Sequence, residues 1–260
     1  MLAALNVNNT HTLIGLYQGE TLVTHWRVKS DPARTIDEWG VLIRGLFADG
    51  AGYERGAIGG VIVASVVPPM NDRVEEVCKR FFGHHPLWVG PGIKTRVPIL
   101  SDNPREVGAD RIGNAVAAWE RTHAATIVVD FGTATTFDYV TGRGEYAGGV
   151  IVPGVGISLD ALIARTAKLP RVELVKPPRV VGKTTVHAIQ SGVVNGYTAL
   201  VDGLVARIRA ENDPQARVLA TCGLAPLMAP ECASIESVDE FLTLDGLRII
   251  YQRNGGRDAI

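Results

Sequence analysis

The chain has 260 residues, 46% of them hydrophobic, with 26 basic and 27 acidic side chains and a net charge of -1. That length and composition can bury one large core or two ordinary ones, which excludes disorder of the whole chain. Near-neutral charge without a basic block speaks against nucleic acid as the main partner and leaves no polybasic membrane anchor.

Residues 2–7 read as a first strand, Asn8-Asn9-Thr10 as a turn, 12–17 as a second strand, Gln18-Gly19-Glu20 as another turn and 22–28 as a third strand. Two tight turns predict an antiparallel meander. Ile36, Trp39, Leu42, Ile43 and Leu46 recur at helical spacing and predict a helix over 35–47. The nearly apolar run 57–70 contains two glycines and ends in Pro68-Pro69. It is too short to span a bilayer and reads as a buried strand, 60–67, with its exit. A helix is expected over 71–82.

The same grammar returns near residue 124. Residues 126–130 form an apolar run of the kind found in buried strands, 135–140 continue after a turn, Thr141-Gly142-Arg143-Gly144 turns again, and 146–152 make a third strand. Helices are expected over 112–122, 157–166, 185–210 and 242–251, a strand over 217–221, and a frayed tail at 255–258. Asp130 lies 124 positions after Asn6, and Asn6-Val7-Asn8-Asn9-Thr10-His11-Thr12 matches Asp130-Phe131-Gly132-Thr133-Ala134-Thr135-Thr136 in pattern: an apolar strand, a side-chain oxygen, a turn former, hydroxyls. The order predicts two α/β domains of ribonuclease H-like type, 1–112 and 113–260, each a mixed sheet flanked by helices.

Three scattered cysteines, Cys78, Cys222 and Cys232, form no CxxC and read as small apolar core residues of a reducing compartment. The N-terminus lacks a basic stretch before its apolar residues, so no signal peptide is expected and the chain reads as cytoplasmic.

Asp130-Phe131-Gly132-Thr133-Ala134-Thr135-Thr136-Phe137-Asp138 is the segment richest in chemistry. A carboxylate at the end of a buried strand can serve a metal or a phosphate. Gly132 is expected to turn the backbone at positive φ, and backbone N–H groups and threonine hydroxyls can donate to phosphate oxygens. An ordinary hairpin turn is the plainer reading of the same residues. In the first copy Asn8 stands at the glycine position, where Asn tolerates the left-handed region, and Asn6 stands at the aspartate position with an amide in place of a charge. Gly108-Ala109-Asp110-Arg111 opens a helix. Asp110 reads as a dipole-stabilised first-turn acid beside Arg111, or as a general base with Arg111 fixing an anionic group.

Other classes lack their marks. Gly182-Lys183-Thr184 is no phosphate-binding P-loop, because Pro177 occupies the position of its first glycine; Thr184 or Thr185 reads as a helix cap. The six histidines form no HExxH array, no Gly-x-Ser-x-Gly elbow occurs, and no GxGxxG follows a strand.

Taken together, Asn9-Thr10, Asp102-Asn103-Pro104, Gly108-Ala109-Asp110-Arg111, Asp130-Phe131-Gly132-Thr133-Ala134, Gly148-Gly149 with Pro153-Gly154, and Ala188-Ile189-Gln190-Ser191-Gly192 resemble type III pantothenate kinases over about residues 3–253. The resemblance implies the actin-like ATPase superfold and transfer of the ATP γ-phosphoryl group to pantothenate, the first step toward coenzyme A. It implies Asp110 as general base. It implies phosphate binding by Asn9, Thr10, Gly132 and Thr133, with Asn6 and Asn8 in the same loop. Asp130 would help place magnesium-ATP, and Asp138 would sit by a monovalent cation, potassium or ammonium. Asn103, Gly108, Ala109 and Arg111 would contact pantothenate. Thr185 would close that pocket from the neighbouring subunit of a homodimer. The family's first loop reads Asp-x-Gly-Asn-Thr, where this chain has Asn6-Val7-Asn8-Asn9-Thr10. The expectation is therefore a kinase with reduced catalysis; the alternatives are an inactive binding or regulatory relative and, more weakly, a superfamily kinase with another acceptor.

Overall fold

A computed structural model describes residues 1–50 and 55–255. In chain order the elements are β1 (Leu2–Val7), β2 (His11–Gln18), β3 (Thr21–Lys29), α1 (Ile36–Gly50), β4 (Gly60–Ser65), α2 (Asn71–Val77), β5 (Leu87–Trp88), α3 (Ala109–Thr122), β6 (Thr126–Phe131), β7 (Ala134–Val140), β8 (Tyr146–Pro153), α4 (Val155–Ala164), α5 (Thr185–Glu211), β9 (Arg217–Thr221), α6 (Ala225–Met228), β10 (Ser237–Val238) and α7 (Leu242–Arg253). The chain divides into two compact units: Met1–Arg96 with Asp102–Ala117 and Thr243–Ile260, and Val97–Ser101 with Ala118–Leu242. The sequence reading draws one boundary after residue 112, whereas these units interleave along the chain. Residues of the tail beyond Gly255 lie outside the described ones.

Each unit holds one mixed five-stranded sheet, ordered β3-β2-β1-β4-β5 in the first and β8-β7-β6-β9-β10 in the second. The repeat read in the sequence is therefore a repeat of topology. In both units the first strand is central, antiparallel to the second and parallel to the fourth. A central strand is buried on both faces, which is why β1 and β6 are mostly apolar, broken near their ends by Asn6 and Asp130. The copies differ at their first turn. Val7 pairs with Thr12 but Phe131 pairs with Thr135, so the first turn is one residue longer.

In the first unit, one core gathers Ala3, Leu5 and Val7 of β1 with Trp39, Ile43 and Phe47 of α1 and Val74 and Val77 of α2. Thr35 and Glu38 start α1 as a reciprocal pair: Glu38 donates its N–H to Thr35 Oγ1 (3.3 Å) and its carboxylate accepts from Thr35 N–H (2.7 Å). That backbone hydrogen bond lowers the Glu38 pKa. The helix expected over 71–82 is α-helical only to Val77. Cys78–Phe82 continue as a π-helix that stops at Gly83, whose left-handed φ of 83° few other residues adopt. On the other side of the sheet, α7 sets Leu244 against Gly15, leaving no room there for a larger residue. Helices α3 and α7 touch through glycines: a Cβ on Gly246 would stand 1.9 Å from the Gly113 carbonyl oxygen. Thr243 Oγ1 donates to Asn114 Oδ1 (2.7 Å) beside that crossing.

In the second unit, the core joins Ile127, Val129 and Phe131 of β6 to Ile189, Val193, Val201 and Val205 of α5 and to Val218 and Ala220 of β9. Thr184 caps α5, its Oγ1 accepting from His187 N–H (3.2 Å). Helix α4 begins at Val155, two residues before the expected start, because Gly154 already accepts the first helical bond from Ser158 N–H. The strands β5 and β10 and the short α6 carry too few residues for a periodic signal and were not expected. Among the described residues no helix is long and apolar enough to cross a membrane.

Candidate functional site

In the first unit the chemistry collects where β1 and β4, running parallel, end. Asn6 is level with Ala64 in that register, and Val66 N–H donates to the Val7 carbonyl just beyond (3.1 Å). The following turn is fastened by Asn8 N–H to the His11 carbonyl (3.1 Å), Ser30 N–H to the Thr10 carbonyl (3.0 Å) and the Thr12–Ser30 hydroxyl pair (2.9 Å). Asn9 and Thr10 are thereby held at an exposed tip. Asn6 is only 4% exposed, yet Asn6 Oδ1 and Asn8 Oδ1 are buried without hydrogen-bond partners. Leaving such an acceptor unsatisfied costs about 1–3 kcal/mol, so two on one turn point to a donor or cation supplied by a ligand.

Gly108 comes to the same strand ends: a Cβ there would lie 3.4 Å from Val66 Cγ1 and 2.5 Å from Asp110 Oδ1. Gly108 is therefore what lets the Asp110 carboxylate fold back over its own turn. Asp110 sits in the first turn of α3, half-buried, with Oδ1 accepting from Arg111 N–H (2.8 Å). Ala109 is buried, so the backbone is what it can offer a ligand. Asn103 is exposed, and its amide donates to Glu106 Oε1 (2.6 Å) across the short turn Pro104–Glu106.

In the second unit Asp130, next to last in β6, lies opposite Thr136 of β7 and Thr221 of β9, so these three side chains share one face of the sheet. Asp138 lies on that face too and is fully buried, accepting from Tyr146 OH (2.9 Å) and Thr136 Oγ1 (3.2 Å). Neither Gly132 nor Asn8 has positive φ, contrary to the expectation for this turn. Space is what glycine supplies at 132, where a Cβ would stand 3.2 Å from Asp130 Oδ1 and 3.4 Å from the Ala134 carbonyl oxygen. Thr133 is exposed at the tip. Thr185 is the exposed first residue of α5.

Two features here escaped the sequence reading. Thr221 is fully buried with an unpartnered Oγ1, level with Asp130. Its signal was available, since β9 is the repeat partner of β4 and must lie parallel beside β6. Cys222, read as a core residue, is half-buried, takes a left-handed φ of 77° and brings its Sγ to 4.0 Å from the Cβ position of Gly132. The other two cysteines are buried as expected, and burial pushes the Cys232 thiol up to about 11. Gly154, part of the Pro153-Gly154 pair named from the sequence, presses on the tip: its N–H donates to the Thr133 carbonyl (3.1 Å).

Among the described residues no three His, Cys, Asp or Glu side chains gather to hold a metal ion. In the second unit the single carboxylate of Asp130, with the hydroxyls of Thr136 and Thr221 on the same face, is a donor set that suits a magnesium ion keeping most of its waters.

The type III pantothenate kinase family model matches residues 2–207. A type III pantothenate kinase of Anaeromyxobacter dehalogenans is 56% identical over 254 residues, covering 98% of this chain and 100% of the relative. That of Myxococcus xanthus is 54% identical over 98% and 99% of the two chains. Among solved structures, MreB 5 of Spiroplasma citri bound to AMPPNP has a TM-score of 0.58 at 9% identity, covering 99% of this chain and 97% of that one. The ethanolamine utilization protein EutJ of Carboxydothermus hydrogenoformans has a TM-score of 0.57 at 13% identity, covering 95% and 89%. At such identities the likeness is one of fold, and that fold is the actin-like one expected.

Proposed function

The chain belongs to the type III pantothenate kinase family, and from that premise we propose that it transfers the γ-phosphoryl group of ATP to the primary hydroxyl of pantothenate, giving 4'-phosphopantothenate for coenzyme A synthesis. The observation that carries this reading is the placement of Asp110 in the first turn of α3, with Gly108 against the ends of β1 and β4.

Phosphoryl transfer needs alignment and charge neutralisation more than covalent chemistry. Asp110 takes the proton of the attacking hydroxyl. Arg111 pairs with the pantothenate carboxylate, and Asn103 and Gly108 line that substrate. For Asn103 this means exchanging its bond to Glu106 for one to the ligand. Asn9, Thr10, Gly132 and Thr133 donate to phosphate oxygens. Magnesium bound with ATP supplies charge neutralisation, with Asp130 as its protein carboxylate. Asp138, with the hydroxyls of Thr136 and Tyr146, forms an all-oxygen set fit for potassium or ammonium. Asn6 leaves the first loop without its carboxylate, so turnover is low while substrates still bind. The reaction belongs in the cytoplasm.

The test is a coupled assay of phosphopantothenate formation with ATP, magnesium and potassium. Slow, pantothenate-dependent formation of product is expected. If no product forms and pantothenate also fails to bind in calorimetry, the kinase reading is lost. The neutral oxygens of Asn6 and Asn8 favour a second reading, a non-catalytic binding or regulatory protein. Under it both ligands bind and no product forms, even with Asn6→Asp.

We also propose a homodimer that brings Thr185 to the neighbouring pantothenate site. The segment before α5 supports it. Val180 and Val181 are 73% and 81% exposed, while Ser191 Oγ donates to the Val180 carbonyl and Gln190 to that of Glu173. Adjacent apolar side chains held outward on fixed backbone suit a partner surface. Val181→Asp is expected to shift the molar mass in light scattering from dimer toward monomer; an unchanged mass removes this segment from the interface.

A further inference from the structure

We propose that Tyr197 is a positioning residue for the phosphate-binding tip at Gly132–Thr133, acting through the Pro153–Gly154 turn. The proposal deepens the kinase reading and rests on that tip receiving the nucleotide.

Tyr197 lies on α5, its ring packed on the core of the second unit. Its hydroxyl donates to the Pro153 carbonyl (2.9 Å), with the Gly154 carbonyl at 3.3 Å, and it also meets Ser158 Oγ. A phenol has one hydrogen. With that hydrogen committed to the turn, Ser158 is the donor in the hydroxyl pair. Ser158 N–H also donates to the Gly154 carbonyl (3.0 Å), so helices α4 and α5 both hold that carbonyl.

The turn passes this restraint to the tip. Gly154 N–H donates to the Thr133 carbonyl, and a Cβ on Gly154 would lie 2.1 Å from the Thr133 oxygen and 2.6 Å from the Gly132 oxygen. Both carbonyl oxygens thus face Gly154. No peptide among the described residues is cis. In a trans peptide the N–H points opposite its C=O, so the Thr133 N–H is directed away from Gly154. The donor offered to a phosphate is therefore fixed before any ligand arrives, by a hydroxyl 64 positions further along the chain. Preorganised N–H donors of this kind cost no reorganisation on binding.

The experiment measures binding of AMPPNP with magnesium by calorimetry, together with pantothenate binding and thermal unfolding, for the full chain, Tyr197→Phe, Ser158→Ala and Thr133→Ala. Binding, unlike turnover, is readable even if Asn6 keeps catalysis slow. Loss of one hydrogen bond's worth of positioning predicts AMPPNP affinity weaker by about fivefold in Tyr197→Phe, less in Ser158→Ala, with pantothenate affinity unchanged. Unaltered AMPPNP affinity in Tyr197→Phe, while Thr133→Ala weakens it, overturns the positioning role and leaves the tip as a phosphate site. Unaltered affinity in Thr133→Ala beside weakening in Tyr197→Phe assigns the contact to the Thr133 N–H, which alanine keeps; unaltered affinity in both variants overturns the proposal. Equal weakening of both ligands with a lower unfolding temperature makes Tyr197 a structural residue only and also overturns the proposal.

Discussion

Replacing Asp110 by Asn is expected to slow phosphopantothenate formation by roughly 10²–10⁴-fold, the usual worth of a general base, while leaving the fold and ligand binding near those of the parent chain. The substitution is nearly isosteric. The side-chain oxygen that accepts from Arg111 N–H is retained, so the first turn of α3 keeps its local bond. What disappears is a group able to take the hydroxyl proton, along with a negative charge that the helix dipole favours at this end. The cost to stability is therefore small, of the order of 0.5 kcal/mol. The measurement is kcat in the coupled assay, with pantothenate and AMPPNP affinities alongside. A kcat within a few-fold of the parent would assign proton removal elsewhere and leave Asp110 a helix-terminal acid.

Asn6→Asp is expected to act in the opposite direction and to raise kcat on the order of 10²-fold, the scale on which one well-placed electrostatic partner of the transition state contributes. Asn6 Oδ1 is already buried and unpartnered at the end of a central strand. An aspartate there keeps the shape and adds the charge that a magnesium-nucleotide can use. The same burial brings a penalty when no ligand is present, because an unpaired carboxylate out of water is unfavourable. The variant should unfold at a lower temperature than the parent in the absence of ligands and regain the difference, or more, with magnesium-AMPPNP. The thermal readout is independent of turnover. Unchanged turnover in Asn6→Asp, with no ligand-dependent recovery, would mean that the first turn holds no metal-nucleotide and that its two orphan oxygens answer to another donor.

Much of the architecture could be read from local pattern. Strands β1 and β6 were legible because a strand buried on both faces is mostly apolar, and the tight turns beside them fixed antiparallel neighbours. Helix α5 was legible from its cap at Thr184, and the position of Asp110 in a first turn from the Gly108-Ala109-Asp110-Arg111 string. These signals are short-range: each depends on residues within one or two turns of one another, so composition and period carry them. The family resemblance added roles for Asp110, Asn9, Thr10 and Arg111 that no period contains.

Other features had no local signal. β5 and β10 have two residues each and exist only because a neighbouring strand offers a ladder. α7 belongs with the first unit because Gly246 fits against Gly113, a match between positions 133 residues apart. The sequence suggested that Gly132 served a positive φ; the fold shows that it serves the space beside Asp130. It could name Asn6 as a missing charge, but burial and the absence of a partner for its oxygen arise only when β1 lies between β2 and β4. The sequence by itself thus determined the repeat, the central strands and the candidate acids, since burial period and turn chemistry are local. The tertiary structure alone decided which of those residues are strained, buried or backed by a distant hydroxyl, because register and close packing join residues whose separation in sequence carries no pattern.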